Sequence, residues 1–388
     1  MNQIRTKKIS ILTLSPIMFS FFVMGFVDIV GTAVGYVKKD FGINDTMSNL
    51  LPMMVFLWFA ICSIPVGLLM RRIGRKKTVL LSAIVTVFAM LLPFIGYTFT
   101  IMLCAFALLG IGNTILQVSL NPLVASIVDS KKITSTLTFG MFVKAISSAL
   151  GPVILAFAAT RFNDWKLVFA VYAVATAISF IWLMFTSIKT EKETSAAPSG
   201  IKVVLSLLKE RTIFSFFLII VMIVGFEVGL MATVPKYFAD CGLTLEDGSY
   251  ANTLYFIART IGTFCGAMIL SRVSNRKFLN ATVATGILSL IVFMSVSGSV
   301  PLYSSLFVVG LMCANVFPII FSQAIQYKSE YADEISSLMI VGVGGGALLP
   351  PIMGAVADFT NLRISLIVPV IALITILSIS LLILKKKQ

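Results

Sequence analysis

Four ionisable residues stand deep inside long apolar runs: Asp28, Lys144, Glu227 and Arg259. A charge at the centre of a bilayer costs roughly 2.5–3.5 kcal/mol on insertion scales, so each one needs a compensating role. Two acids and two bases cancel, and they admit two readings. In the first, Asp28 or Glu227 takes up a proton while Lys144 and Arg259 bind a substrate or release the acid. In the second, Asp28–Lys144 and Glu227–Arg259 are ion pairs that only hold helices together. Amides come next. Asn113, Gln117 and Asn121 recur at a four-residue spacing, which is one face of a helix, and Asn315, Gln323 and Gln326 lie in a later run. Amides both donate and accept hydrogen bonds, which suits a polyhydroxylated ligand. Their plainer role is interhelical bonding, worth about 0.6 kcal/mol on average. Asn121 precedes Pro122 and is also placed to cap a helix end, and Gln323 and Gln326 suit gating as well as binding.

Among the three tryptophans, Trp58 is mid-run, where it can stack on a sugar ring or pack in a core. Trp165 and Trp182 fall at run ends, as an interfacial belt requires. Histidine is absent, so a proton relay must use carboxylates. The five cysteines, Cys62, Cys104, Cys241, Cys265 and Cys313, show no ligand-type spacing and read as small apolar side chains. No metal or other cofactor is expected.

The elements that must position these residues follow from composition. Of 388 residues, 58% are hydrophobic and 12% charged, and the mean hydropathy is +1.02. A soluble surface needs more charge than that. The apolar residues come in runs of roughly 20, long enough to cross a bilayer as helices whose backbone bonds are internal. The alternating ten-residue strands of a membrane barrel are absent. The expectation is an all-α membrane protein of twelve transmembrane helices. Spans are predicted near 13–37, 47–70, 78–97, 99–128, 134–159 and 166–187, then near 212–238, 248–271, 278–298, 302–327, 334–358 and 362–384. Arg5, Lys7 and Lys8 precede a first run too long for a signal peptide, which is read as an uncleaved span.

The division expected is an N-terminal six-helix bundle over 1–188, a linker over 189–211 and a C-terminal bundle over 212–388. Of the Lys and Arg in loops, 22 lie on the side holding both termini and 6 on the other. The positive-inside bias therefore places both termini in the cytoplasm, in a multi-pass protein of a bacterial inner membrane. The formal net charge of +14 sits in short loops and does not indicate a nucleic-acid partner.

The halves repeat at an offset of 200 residues: Gly25-Phe26 meets Gly225-Phe226, Val34 meets Val234, Asp40 meets Asp240, and Gly42 meets Gly242. The same offset pairs Arg72 with Arg272, Lys76 with Arg276, Lys77 with Lys277 and Gly110 with Gly310. Two parallel six-helix bundles of this kind can rock about a site between them, near the bilayer midplane.

The loop Gly67-Leu68-Leu69-Met70-Arg71-Arg72-Ile73-Gly74-Arg75-Lys76-Lys77 resembles the signature loop after the second helix of major facilitator proteins. Gly67, Arg72, Gly74, Arg75 and Lys76 are its gating candidates. The family usually has Asp where Arg71 stands. Three more stretches resemble the fucose/glucose/galactose permeases: Gly110-Ile111-Gly112-Asn113 through Gln117 to Asn121-Pro122, then Phe317-Pro318-Ile319-Ile320-Phe321-Ser322, then Ser336-Ser337-Leu338 with Gly344 to Pro351 and Gly354 to Asp358. Those permeases often place a proton-carrying Glu where Gln117 stands. Their first-helix Asp falls near Gly31, with Asp28 here about one turn earlier. Aligned on Gly151-Pro152, their polar sugar-binding positions fall on Met141 and Lys144.

The resemblance implies the major facilitator fold, with helices 1 and 7 lining a central cavity and helices 5 and 8 beside them. It also implies a sugar permease coupled to protons. The expected protein is thus not an enzyme but a monomeric secondary transporter. It would work by alternating access, importing a monosaccharide or related small polar solute with H⁺. Asp28 and Glu227 are the proton-coupling candidates; Asn113, Gln117, Lys144, Arg259, Asn315, Asn121 and Trp58 are the substrate-binding ones. Lys144 adds the variant of an acidic sugar, because a buried ammonium can pair with a carboxylate. The alternative is a drug or metabolite exporter. Against it, Gly151-Pro152 is followed by Val153-Ile154-Leu155 without the further glycines common in such antiporters.

Overall fold

The computed structural model describes residues 11–128, 133–188, 201–270, 273–328 and 331–383. The predicted termini, most of the linker and Arg272 lie outside the described residues, as does the side chain of Arg71. Among the described residues there are twelve helical spans long and apolar enough to cross a membrane, and no strand.

The first half comprises α1 (Ile11–Met24), α2 (Ile29–Phe41), α3 (Asp45–Ser48), α4 (Leu50–Ile73), α5 (Arg75–Ile95), α6 (Phe99–Ile127), α7 (Ile133–Phe162) and α8 (Leu167–Phe185). A short α9 (Ile201–Leu207) precedes the second half. That half opens with α10 (Arg211–Asp240), α11 (Leu245–Leu270), α12 (Asn275–Ser295), α13 (Ser299–Cys313) and α14 (Val316–Tyr327). It closes with α15 (Ala332–Gly342), α16 (Leu349–Phe359), α17 (Leu362–Ser365) and α18 (Ile367–Ile383). Twelve crossings bring residues 11 and 383 to one face, here termed the terminal face; the opposite face is the far face.

Three spans expected to be continuous are broken deep in their interior, besides short interruptions at Asn49 and Leu366 near span ends. Helices α1 and α2 are joined by a tight 3-10 turn over Gly25–Asp28, and α15 and α16 by another over Val343–Ala347. Pro350 and Pro351, in the first turn of α16, lack the N–H that would bond the carbonyls four residues back, so regular helix cannot run through that turn. Pro318 does the same to Ala314, and α13 ends at Cys313. Asn121, by contrast, does not cap a helix end: α6 continues through Pro122 to Ile127, leaving Asn121 exposed inside the helix.

Each half has its own apolar core. One gathers Phe21, Phe59, Phe106 and Phe169; the other gathers Phe226, Tyr255, Phe293 and Leu373. The 200-residue repeat is visible in the backbone. Gly42 and Gly242 end α2 and α10 at φ +60° and +84°, a conformation that glycine enters at no steric cost. A methyl group at Gly110 would lie 2.1 Å from the carbonyl oxygen of Val55, and one at Gly310 2.7 Å from that of Tyr255. Val55 and Tyr255 are themselves 200 apart.

Trp165 departs from expectation. It is 5% exposed and donates its Nε1–H to Asp40 Oδ2 at 2.8 Å, so it faces the protein rather than a lipid interface. Trp182 is 43% exposed. All five cysteines are free, with Cys313 buried.

Candidate functional site

The break in the first span creates the site. Gly25 lets α7 approach so closely that a methyl group there would fall 2.6 Å from Lys144 O and 2.8 Å from Ser147 Cβ. The turn leaves the Met24 carbonyl without a regular helical partner. Asn113 Nδ2, from α6, donates to it at 2.9 Å, and Gln117 Nε2 donates to Asn113 Oδ1 at 2.9 Å. A neighbouring helix thus adds a bond to a carbonyl that the 3-10 turn has taken out of the regular ladder. Asn113 is 3% exposed and committed to this work; Gln117 is half-buried. Asn315 is its counterpart at the α13–α14 break, 4% exposed and donating to Gly262 O at 2.7 Å.

Asp28 ends the turn and stands at the start of α2. Ser148 Oγ, one turn beyond Lys144 on α7, donates to Asp28 Oδ2 at 2.5 Å and also lies 3.1 Å from Lys144 O. A hydroxyl has one hydrogen, and the shorter contact to the carboxylate takes it. No ion pair forms between Asp28 and Lys144 within 4.0 Å, so that expected pairing is absent. Position 31, where an acid falls in the similar permeases, has no room for one. A methyl group on Gly31 would lie 2.7 Å from Met231 Cβ across the interface between halves.

The other expected pairing is present. Arg259 Nη1 lies 2.5 Å from Glu227 Oε1, with side-chain exposures of 36% and 19%. The guanidinium N–H is not aligned on that oxygen, and Glu227 Oε1 has no directed hydrogen bond. The pair is therefore held by charge and remains open to a further donor. Glu227 also feels the charges of Asp28 and Lys144, and Arg259 feels Asp28. All four residues belong to one electrostatic constellation, two from each half.

Two buried polar atoms beside the broken turn lack partners, Ser147 Oγ on α7 and Tyr172 Oη on α8; Trp58 Nε1 on α4 and Gln323 Oε1 on α14 lack them as well. Tyr172 stacks on Phe26 at 3.8 Å within the broken turn and feels the charge of Asp28. Buried polar groups are nearly always satisfied, so each such orphan marks a place where a ligand or water can bond.

The loop motif lies apart, on the terminal face. Gly74 joins α4 to α5 at φ +91°, while Gly67 packs against nothing and Arg72 is exposed. Arg75 begins α5 half-buried. Lys76 Nζ donates to Met184 O and Thr186 O at 2.9 and 2.8 Å, placing a cation on the final carbonyls of α8. Its repeat partner Arg276 donates to Leu381 O at 3.3 Å near the end of α18.

Residues not expected to matter gather at the far face. Lys236, counted from the sequence as a loop charge, lies inside α10 and is 4% exposed. Its Nζ lies 2.7 Å from Asp45 Oδ1, across the two halves. Its position beside Pro235, still within an apolar run, was the only signal. Nearby, Tyr97 donates to Asp40 Oδ2 at 2.5 Å, and Lys166 Nζ lies 4.3 Å over the Tyr97 ring. Burial, then the Asp40 contact, pushes the Tyr97 phenol far above its usual range, so it stays a neutral donor.

The family model of the Major Facilitator Superfamily matches residues 17–347. A glucose/galactose transporter of Brucella abortus is 24% identical over 379 residues, covering 92% of this chain and 90% of that protein. The E. coli fucose:proton symporter FucP, in its outward conformation, superposes with a TM-score of 0.68 at 17% identity, over 95% of this chain and 98% of that one. A bacterial homologue of the human lysosomal transporter Spinster, inward-facing and occupied, superposes with a TM-score of 0.74 at 14% identity, over 97% and 96%.

Proposed function

Because this chain belongs to the Major Facilitator Superfamily and has, among its described residues, twelve helical spans long and apolar enough to cross a membrane, we propose that it imports a monosaccharide together with H⁺ by alternating access. The observation that carries the reading is geometric: Asp28 at the start of α2 and Glu227 on α10 flank the close Gly31–Met231 contact between halves, and α7, which carries Lys144, packs on α11, which carries Arg259. A site divided between two bundles is the kind that rocking exposes to one face and then the other. The unpartnered Ser147 and Tyr172 atoms beside the broken turn supply hydroxyls of the kind that a sugar can bond. The relative from Brucella abortus, named as a glucose/galactose transporter, supports a hexose as the solute. The excess of Lys and Arg on the terminal face supports cytoplasmic termini in a bacterial inner membrane.

In this reading Asp28 takes the proton. With Asp28 neutral, the constellation holds Lys144, Glu227 and Arg259, one positive charge in excess. Lys144 makes no ion pair with any described carboxylate. An anionic sugar, a hexuronate for example, would supply the missing partner, and it is the second substrate class proposed.

Proteoliposomes test both. Uptake of labelled glucose or galactose should accelerate under an imposed inward proton gradient, and excess unlabelled hexuronate should compete if the anionic reading is right. Transport of hexose indifferent to the proton gradient removes H⁺ from the account. Transport of neither hexose nor hexuronate removes the sugar.

A further inference from the structure

Polar bridges between the two halves concentrate at the far face, some distance from the site. Asp45 is their centre. Its Oδ2 accepts from Lys38 Nζ at 2.6 Å within its own half, and its Oδ1 from Lys236 Nζ at 2.7 Å in the other. Asp358, at the end of α16, grips the same segment. Its two carboxylate oxygens accept the backbone N–H groups of Asp45 and Thr46, each at 2.8 Å, and the Thr46 hydroxyl at 2.5 Å. Tyr36 bonds Ser249 at 3.3 Å, and Asn252 donates to Thr32 Oγ1 at 3.0 Å. The backbones meet closely beneath these bonds. A methyl group on Gly354 would lie 2.6 Å from Asp45 O, and one on Gly35 3.4 Å from Pro235 Cβ.

We infer that this cluster is a latch holding the far face shut, with Asp45–Lys236 as its bond and Asp358 as the residue that positions Asp45. The inference rests on alternating access, not on the identity of the solute. The groups charged around Asp45 are Lys38, Lys236 and Asp358. While the face is closed, Lys236 is buried and Asp45 is its compensating charge, so removing Asp45 leaves a buried ion uncompensated, whereas removing Lys236 leaves Asp45 with Lys38 but cuts its bond to the other half. When the halves part, water reaches both ions and rehydrates them, so opening is far less costly than deleting one partner inside the closed seal. The latch is also tied to the site by covalent geometry. Helix α10 carries both Glu227 and Lys236, about 14 Å apart along its axis at 1.5 Å per residue. Helix α2 runs in the same way from Asp28 to Lys38. A shift of either helix that answers ligand or proton at the site must therefore displace one side of the latch.

The test uses a thiol reporter and no substrate. Thr32, fully buried at the seal, is replaced by Cys in a protein whose five native cysteines are changed to Ser. The labelling rate by a maleimide is then read on the purified protein. Asp45→Asn severs the bond between halves and strands buried Lys236, and should raise that rate about tenfold or more; Lys236→Gln severs the same bond but leaves Asp45 with Lys38, and should raise it by less. Asp45→Glu should label as slowly as the parent, and Asp358→Asn should fall between, since its amide oxygen still accepts one backbone N–H. If a single variant unfolds, the double variant Asp45→Asn/Lys236→Gln carries neither charge, and it should recover the melting temperature while still labelling fast. Slow labelling of a folded Asp45→Asn protein, or of the folded double variant, overturns the latch. Either outcome leaves the sugar reading untouched, because no transport is measured.

Discussion

Asp28 and Glu227 occupy nearly equivalent places in the two halves, one residue out of register at the 200-residue offset, yet their surroundings differ. Glu227 lies within an unbroken helix of 30 residues and is met by Arg259 at 2.5 Å. Asp28 lies in a broken helix, with a hydroxyl at 2.5 Å and no cation within ion-pair distance. The second half therefore neutralises its acid with its own side chain. The first half meets its acid with the Ser148 hydroxyl alone. A duplicated scaffold can in this way divide labour: one acid organises the site permanently, and on our proposal the other changes its charge during each cycle.

Variants should break or sharpen this contrast, and the largest effect is expected at Arg259. Arg259→Met strands Glu227 in the membrane and should lower stability by about 3–5 kcal/mol, seen as poor yield and a depressed melting temperature. Removing both charges, in Glu227→Gln with Arg259→Met, should recover most of that stability without recovering uptake. Next comes the support of the broken turn. Asn113→Ala removes a buried bond to the Met24 carbonyl and should cost about 0.5–1.5 kcal/mol in the same melting assay, even though it removes no charge. Asp28→Asn should change stability by under about 1 kcal/mol, since no ion pair is lost, yet abolish uptake driven by a proton gradient while sparing solute exchange. Should Asp28→Asn instead destabilise the protein as much as Arg259→Met does, the two acids are alike and the contrast fails. Lys76→Ala should be mildest, about 0.3–1 kcal/mol, because it removes only a partly exposed cation from helix-terminal carbonyls.

Much of the architecture was legible because a bilayer imposes its thickness on the chain: runs of apolar residues declared the spans, and the matching loops declared the repeat. The breaks were harder to read. Gly25 carries no punctuation that distinguishes it from glycines inside regular helix, such as Gly112, because its turn depends on Asn113 of a distant helix. Of the buried charges, the pairing of Glu227 with Arg259 was open as one of two readings, and the absence of Asp28–Lys144 pairing was decided by a serine no spacing rule selects. Asn113 and Asn315 were sought as sugar ligands because amides are rare in apolar runs. Here both bond main-chain carbonyls of other helices, Asn113 at the broken turn and Asn315 at Gly262 inside the unbroken α11. Lys236 was hidden by its nearness to a span end, where a lysine ordinarily reaches water.

The paired glycines at 110 and 310 have a consequence for how such a protein tolerates change. At both, one helix rests directly on the main chain of another, at Val55 and at Tyr255. Main-chain atoms are common to every sequence, so the angle between those helices does not depend on which oily residues coat the outside. Lipid-facing positions such as Phe88, Leu288 and Ile371 are free to drift, whereas a single added carbon at either glycine pries a bundle open from within.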